Sequence, residues 1–175
     1  MQDVSHDETT LRIIESAKKD FLQNGYQGAS LRVICHCAGI TTGAFYHRFS
    51  GKSELYEAVV VPDSMKFLEM LNTSPIGAEQ SVIPKPCLVF IYLHLDVFKI
   101  VVCCKCTSYY DKFYDVVRKS IYQRLLKSNH AENLCWLLSK AYLSSFFEII
   151  RCNYDFRTAR KCIGTLEKFF APTKN

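Results

Sequence analysis

Residues 42–52 read Thr-Gly-Ala-Phe-Tyr-His-Arg-Phe-Ser-Gly-Lys, and this stretch decides the interpretation of the chain. Phe45 and Phe49 lie four residues apart and therefore share one face of a helix. Gly43 has no side chain, so the start of this helix can approach another surface closely. The polar residues that follow carry donors suited to phosphate oxygens. The stretch has the pattern of a DNA recognition helix.

Two further helices are predicted before it. Apolar residues recur at a helical period from Leu11 to Phe21, and Asn24-Gly25 is a stop signal. Ser30 is a candidate N-cap for a second helix that ends at Gly39, and Thr41 can cap a third helix through Phe49. The short connection containing glycine predicts a helix-turn-helix motif at about residues 30–49.

A fourth helix is expected to start near Lys52, with Gly51 and Glu54 in a capping arrangement. The positive charge of Lys52 is unfavourable at that end of the helix dipole, and a phosphate nearby would explain why a lysine stands there. Pro62 predicts a break in this helix.

The rest of the chain also has helical patterning. After a Pro- and Gly-containing connector at residues 72–86, helices are expected at about 87–105, 109–127, 131–152 and 156–170. The predicted fold is all-α. A three-helix DNA-binding module at residues 1–55 is followed by a larger helical domain for effector binding and dimerisation at residues 56–175.

Composition places the chain among globular proteins, with 49% hydrophobic and 22% charged residues. The net charge is +5, but residues 1–56 hold six cationic and six acidic side chains. Nucleic-acid binding would therefore rest on a few placed donors and not on a basic domain.

The nine cysteines suggest no disulfide framework, because the N-terminus lacks the pattern of a signal peptide. A reducing cytoplasm is the expected location. The longest apolar stretch, residues 87–106, carries His94, Asp96, Lys99 and Lys105, which favours a buried or amphipathic helix over a membrane span.

Four short motifs resemble the TetR family of bacterial transcriptional regulators. They are Gly25-Tyr26 after helix one, Ala38-Gly39-Ile40 after helix two, the Gly-x-Phe-Tyr-x-x-Phe pattern at 43–49, and Lys-x-Glu-Leu at 52–55. Residue types, gaps and helical phase agree together. Less specific likeness continues into the C-terminal part of the chain.

The resemblance implies roles for particular residues. Thr41, Thr42, Gly43 and Ala44 would approach base edges or adjacent phosphates. The DNA backbone would be held by Tyr46, His47, Arg48 and Lys52, with Ser30 anchoring the start of helix two. The family often has Lys where this chain has Thr42, a change that removes a cation and offers a methyl contact to thymine.

The family resemblance also implies partners. These are a near-palindromic double-stranded DNA operator, a second copy of the chain paired through the last two helices, and a small-molecule effector, without a membrane, a metal or another cofactor. Apolar residues from Leu137 to Ile149, with Ile163, Leu166 and Phe170, form the candidate pairing stripe. Seven aromatic residues are candidates for an effector cavity, or equally for the core: Phe90, Tyr92, Phe98, Tyr110, Phe113, Tyr114 and Trp136.

Other functions have weaker signals. Cys103 and Cys106 lie three apart, as on one helix face, and could sense thiol oxidants or a metal, or could simply pack as small apolar residues. Cys35 and Cys37 would point about 200° apart on a helix, which disfavours a shared ion. No catalytic signature is present in the sequence. Only coincidence favours His94 and Cys104 as a catalytic pair, so an enzyme is the remote alternative. We therefore predict no enzymatic activity.

Overall fold

A computed structural model describes residues 8–75, 81–127 and 131–169, and these residues form nine helices and no strand. The helices are α1 Glu8–Gly28, α2 Leu31–Cys37, α3 Thr42–Tyr46, α4 Lys52–Thr73, α5 Lys85–Leu93, α6 Leu95–Cys103, α7 Ser108–Leu126, α8 Glu132–Arg151 and α9 Phe156–Phe169. The all-α prediction is confirmed. Phe170 and the middle of the 72–86 connector lie outside the described residues.

Helices α1, α2 and α3 share one small core. Ile13, Ile34 and Phe45 are each fully buried in it. Gly25 and Gly39 have φ angles of 67° and 68° at the predicted helix ends, in the left-handed region that favours glycine. Gly39 follows the end of α2, as predicted. At Gly25 the backbone leaves the helical region, but α1 resumes after this kink and continues to Gly28.

Helix α3 ends at Tyr46, three residues earlier than predicted. The chain then turns, and the amides of Arg48 and Phe49 both donate to the carbonyl of Phe45. This turn lets Phe49 stack on Phe45 with ring centroids 5.6 Å apart. Phe49 is thus buried although the α-helix ends at Tyr46, because a hydrogen-bonded turn brings its ring back to Phe45.

Helix α4 continues through Pro62, so the predicted break is wrong. Pro62 is exposed, and its missing amide deprives only the Ala58 carbonyl of its usual helical partner. The opposite side of α4 is buried from Leu55 to Leu71 and packs on α1, α5, α6 and α7. We infer that this packing outweighs the loss of one hydrogen bond.

The single helix predicted at 87–105 is also wrong, because α5 and α6 meet at His94 with a bend of 91°. His94 has non-helical backbone angles, and its Nδ1 lies 2.9 Å from Oδ2 of Asp63 on α4. Its ring stacks on Phe90 at 4.4 Å. The bend lets α5 and α6 both pack against α4.

Within the described ranges, no single helix is long and apolar enough to cross a membrane. Helices α5 and α6 together would be long and apolar enough to cross a membrane, but they are bent by 91° at His94.

The C-terminal helices follow their predicted spans closely. Helix α7 packs on α8, and α8 also packs on α6 and α9. Phe113 of α7 stacks on Phe147 of α8 at 6.2 Å, inside the core. α4 therefore joins the N-terminal helices to this larger helical body.

The continuity of α4 predicts that Pro62→Ala stabilises the protein. Alanine restores the hydrogen bond to the Ala58 carbonyl, and the free energy of unfolding should rise by about 2 kcal/mol. Chemical denaturation measures the change. Met65→Ala on the exposed side of the same helix is the control and should change stability by less than about 0.5 kcal/mol. A loss of stability in Pro62→Ala would contradict our account of α4.

Candidate nucleic-acid interface

The exposed side of α3 carries five of the predicted site residues. Phe45 fixes the helix by pointing into the core, where it is 0% exposed. The outward residues are small or polar, and Tyr46 among them is 56% exposed. The exposed set is Thr41, Thr42, Gly43, Tyr46 and His47.

Thr41 holds the first turn of α3. Its Oγ1 accepts a hydrogen bond from the Ala44 amide at 3.1 Å, as an N-cap residue does. A Cβ placed on Gly43 would have only Thr41 Oγ1 nearby, at 3.8 Å. The protein itself therefore leaves space at Gly43, and any need for glycine there must come from a partner.

Other predicted site residues make contacts within the protein. Arg48 is half-buried and its Nη1 donates to the Ala44 carbonyl at 3.3 Å. Ser30 is the N-cap residue of α2, but its side chain makes no capping hydrogen bond. Ala44 is half-buried.

Lys52 is bound to the end of α1. Its ammonium donates to the carbonyls of Ala29 at 3.0 Å and Gln27 at 3.2 Å, and it lies 5.1 Å from the centre of the Tyr26 ring. The carboxyl end of a helix carries partial negative charge, so these carbonyls attract a cation. These contacts account for a lysine in the first turn of α4 without a phosphate.

Glu54, also in the first turn of α4, binds the other flank of the motif. Its Oε2 accepts from the amide of Ser50 at 2.6 Å and from the Ser50 hydroxyl at 2.7 Å. These hydrogen bonds hold the pKa of Glu54 below its ordinary value. Glu54 therefore makes its capping hydrogen bonds with Ser50, one residue before the predicted partner Gly51.

Asp20 is a residue that the sequence analysis missed. It is 7% exposed on the inner side of α1. Its two carboxylate oxygens accept from the Ser30 amide at 2.8 Å and from the Asn24 side chain at 2.7 Å. Asp20 thus binds the amide of Ser30, the N-cap residue of α2. The available signal was a carboxylate adjacent to Phe21 in the apolar stripe of α1.

Comparison with known proteins relates this geometry to one family. The tetR family of bacterial regulatory proteins matches residues 13–59, which include α2, α3 and the start of α4. Over these residues the chain is similar to the TetR family.

Named relatives agree with this similarity over the N-terminal region. The HTH-type transcriptional regulator UidR of Escherichia coli K12 is 35% identical over 60 residues, covering 34% of this chain and 31% of UidR. The HTH-type transcriptional repressor AcnR of Corynebacterium diphtheriae is 34% identical over 71 residues, covering 39% of this chain and 37% of AcnR. The chain therefore matches about a third of the length of these curated relatives.

The fold resemblance covers most of the chain. A TetR-like transcriptional regulator from Rhodococcus sp. RHA1 has a TM-score of 0.73 and 15% identity, covering 90% of this chain and 92% of that protein. This likeness concerns the fold alone.

Five of the seven aromatic candidates for a TetR-like effector cavity form two groups of packed rings. Phe90 packs on Phe98, and the other group contacts Phe147: Tyr110, Phe113 and Tyr114. Phe98 and Phe113 are buried in the core. The Tyr92 hydroxyl donates to the Tyr154 carbonyl at 3.1 Å, whereas Trp136 is 55% exposed and lies against Arg118. A cavity of about 420 Å³ between the end of α4 and α7 is lined by other residues.

The cysteine candidates do not form the expected pair on a helix. Cys103 is the last residue of α6, and Cys106 lies in the turn beyond it, so the prediction of a shared helix face is wrong. Cys104 between them is buried, which raises the pKa of its thiol. Across the described ranges, no group of three metal-ligating side chains is present.

The Asp20 contacts predict a large effect of Asp20→Ala on stability. The substitution leaves the Ser30 amide without its acceptor and should lower the free energy of unfolding by about 1–3 kcal/mol. Chemical denaturation tests this, with the exposed Glu15→Ala on the same helix as control, expected within about 0.5 kcal/mol of wild type. Equal stability of the two variants would show that Asp20 does not hold α2.

Proposed function

We propose that this chain is a sequence-specific DNA-binding transcriptional regulator of the TetR family, which places the exposed side of α3 in the major groove. The supporting observation is that α3 is anchored by buried Phe45 and has small and polar residues facing outwards. Helix-turn-helix proteins read base edges from such a helix while other contacts hold the DNA backbone.

The outward residues divide by chemistry. Thr41, Thr42, Gly43 and Ala44 are small enough to let the start of α3 approach base edges or nearby phosphates. The Tyr46 hydroxyl and the His47 imidazole are donors for phosphate oxygens, and the Arg48 guanidinium is an additional donor beside them. Because the N-terminal module has no net charge, affinity depends on these few groups.

A second copy of the chain is the proposed partner for α8 and α9. A groove of about 660 Å³ between these helices is lined by apolar Leu166 and Phe169 and by polar residues that include Glu148 and Lys161. Leu137 on α8 is 59% exposed and Phe169 on α9 is 82% exposed. A paired surface would remove this apolar area from water.

Part of the predicted pairing stripe lies inside the protomer instead. Tyr142, Phe146, Ile149 and Ile163 are each less than 10% exposed. Their helical period reflects packing of α8 and α9 within one chain. The proposed interface consists of the more exposed residues beside them.

Such a homodimer would read two half-sites of a near-palindrome, separated by about 34–36 Å or a multiple of it. AcnR, one of the relatives, is a repressor, which supports repression as the mode of regulation. A small-molecule effector would act by favouring a dimer geometry in which the two α3 helices no longer match successive grooves. The protein would act in the cytoplasm, where it meets DNA.

Gly43→Ala tests the position of α3 on DNA. Alanine fits the free protein and favours helix formation, so the substitution should not lower thermal stability. If the start of α3 approaches the groove closely, the added methyl group should lower affinity for a selected duplex at least about tenfold, or about 1.4 kcal/mol.

The duplex is selected by the wild-type protein from a randomised library, and affinity is measured by fluorescence anisotropy. Val33→Ala on α2, which is 48% exposed, is the control for a small change at the module surface. Wild-type protein that selects no duplex would contradict the proposed function. Unchanged affinity in Gly43→Ala would contradict the close approach.

The dimer proposal predicts that Leu137→Lys yields monomers, because a cation would be buried in the apolar interface without a partner. Sedimentation velocity measures the mass. Leu93→Lys on α5, which is 76% exposed, carries the same change outside α8 and α9 and should stay dimeric. A wild-type protein that is monomeric at micromolar concentration would refute the proposal.

A further inference from the structure

We propose that the cavity between the end of α4 and α7 binds a small polyanion, a molecule with two or more carboxylate or phosphate groups, and that this polyanion is the effector. The cavity lies at the opposite end of α4 from the helix-turn-helix motif. The inference deepens the proposed function and rests on it only for the effect of the ligand on DNA binding.

One face of α7 lines this cavity with polar side chains. They recur at helical spacing and therefore share one side of the helix: Lys119, Ser120, Gln123, Arg124 and Lys127. The opposite wall is formed by the end of α4 and the residues that follow it: Leu71, Asn72, Thr73, Ser74 and Pro75. The volume of about 420 Å³ suits a small molecule.

The described lining residues include cations and no acid. Lys119, Arg124 and Lys127 all line the cavity, whereas Glu69, the last acidic residue of α4, pairs with Lys66 at 2.9 Å. A cleft lined by charges of one sign focuses the electrostatic field and concentrates ligands of the opposite sign. The whole excess of +5 lies beyond residue 56, so the C-terminal body carries the surplus of cations.

Arg124 holds the wall of the cavity, whereas the two lysines are available to a ligand. Arg124 is 8% exposed and donates to the carbonyls of Leu71 and Ser74, which fixes the end of α4 against α7. Lys119 and Lys127 are exposed. Across the described part of the chain, the ammonium of neither lysine makes a hydrogen bond or an ion pair.

Neutral donors lie beside these lysines. The Ser120 hydroxyl donates to Oδ1 of Asn72 at 2.8 Å. The NH2 group of the same asparagine side chain makes no hydrogen bond to the described residues, and it is a donor. The side-chain amide of Gln123 can donate as well. Ammonium and amide donors together suit oxygen anions, to which charged donors form the stronger hydrogen bonds.

The spacing of the two lysines favours a ligand with more than one anionic group. Lys119 and Lys127 are eight residues apart, or about 12 Å along the axis of α7. One carboxylate would neutralise one ammonium, whereas a polyanion can bind both across the cavity. The helix dipole accounts for a cation at Lys127, just after the end of α7, but not for Lys119 about two turns earlier.

An NMR titration of the free protein tests the site. The probes are citrate and inorganic pyrophosphate, and acetate is the control with a single anionic group. All are titrated at the same low ionic strength, because salt screens exposed charges. We expect citrate or pyrophosphate to shift the amides of residues 72–74 and 119–127 and to bind at least about tenfold more tightly than acetate.

Two double variants with the same change in net charge separate the cavity from the general charge of the protein. Lys119→Met with Lys127→Met should lower the affinity for the polyanion at least about tenfold. Lys112→Met with Lys140→Met removes exposed cations outside the cavity and should bind like wild type. Circular dichroism checks that both retain their helix content. Equal affinity of the two double variants would overturn the proposal, as would polyanions that bind no more tightly than acetate.

Fluorescence anisotropy with the selected duplex tests the effector role. At constant ionic strength, the polyanion should change the affinity of wild type for the duplex at least about fivefold, and should not change that of Lys119→Met with Lys127→Met. An unchanged duplex affinity of wild type with the polyanion bound would refute the effector role. A wild-type protein that selects no duplex contradicts the proposed function, while loss of polyanion binding in the cavity variant would still support the site.

Discussion

Contacts from the first turn of α4 hold both flanks of the helix-turn-helix motif. The Lys52 ammonium binds carbonyls at the end of α1, and the Glu54 carboxylate binds Ser50 after α3. Because α3 has only five residues, it cannot be stable by itself, and its direction depends on these flanking contacts and on buried Phe45. The surface that α3 presents therefore depends on α2, on which it packs, and on the contacts that α1 and α4 make at its flanks.

Helix α4 also contacts the C-terminal body at several positions along its length. Asp63 bonds His94 at the α5–α6 bend, and the Tyr56 ring packs on that of Tyr109 at 6.3 Å. At its far end, the buried Arg124 of α7 donates to the carbonyls of Leu71 and Ser74. A basic side chain thus meets the carboxyl end of α4, as Lys52 meets that of α1. Helix α4 therefore connects the C-terminal body with the turn that holds α3, and α1 also packs on α6.

Local signals predicted the N-terminal module well and the relations between helices poorly. Gly25 kinks α1, Gly39 follows the end of α2, and Thr41 caps α3. Each does so through its own backbone or side-chain chemistry, which a sequence displays directly. The structural effects of Pro62 and His94 depend on packing, which local signals do not show. Packing of α4 outweighs the missing hydrogen bond at Pro62, and packing of α5 and α6 on α4 stabilises the bend at His94. The roles of Asp20 and Lys52 depend on partners that are 10 and 23 or 25 residues away, a distance at which periodicity carries no information.

The most direct test of the central claim is the amide NMR spectrum of the wild-type protein during titration with its selected duplex. If the contacts of Asp20, Lys52 and Glu54 hold a preformed α3 surface, the largest shifts should occur at residues 41–47. The Ala29 and Ser30 amides, which are hydrogen-bonded in the free protein, should exchange no faster in the complex. Shifts confined to α7–α9, with residues 41–47 unaffected, would contradict this account.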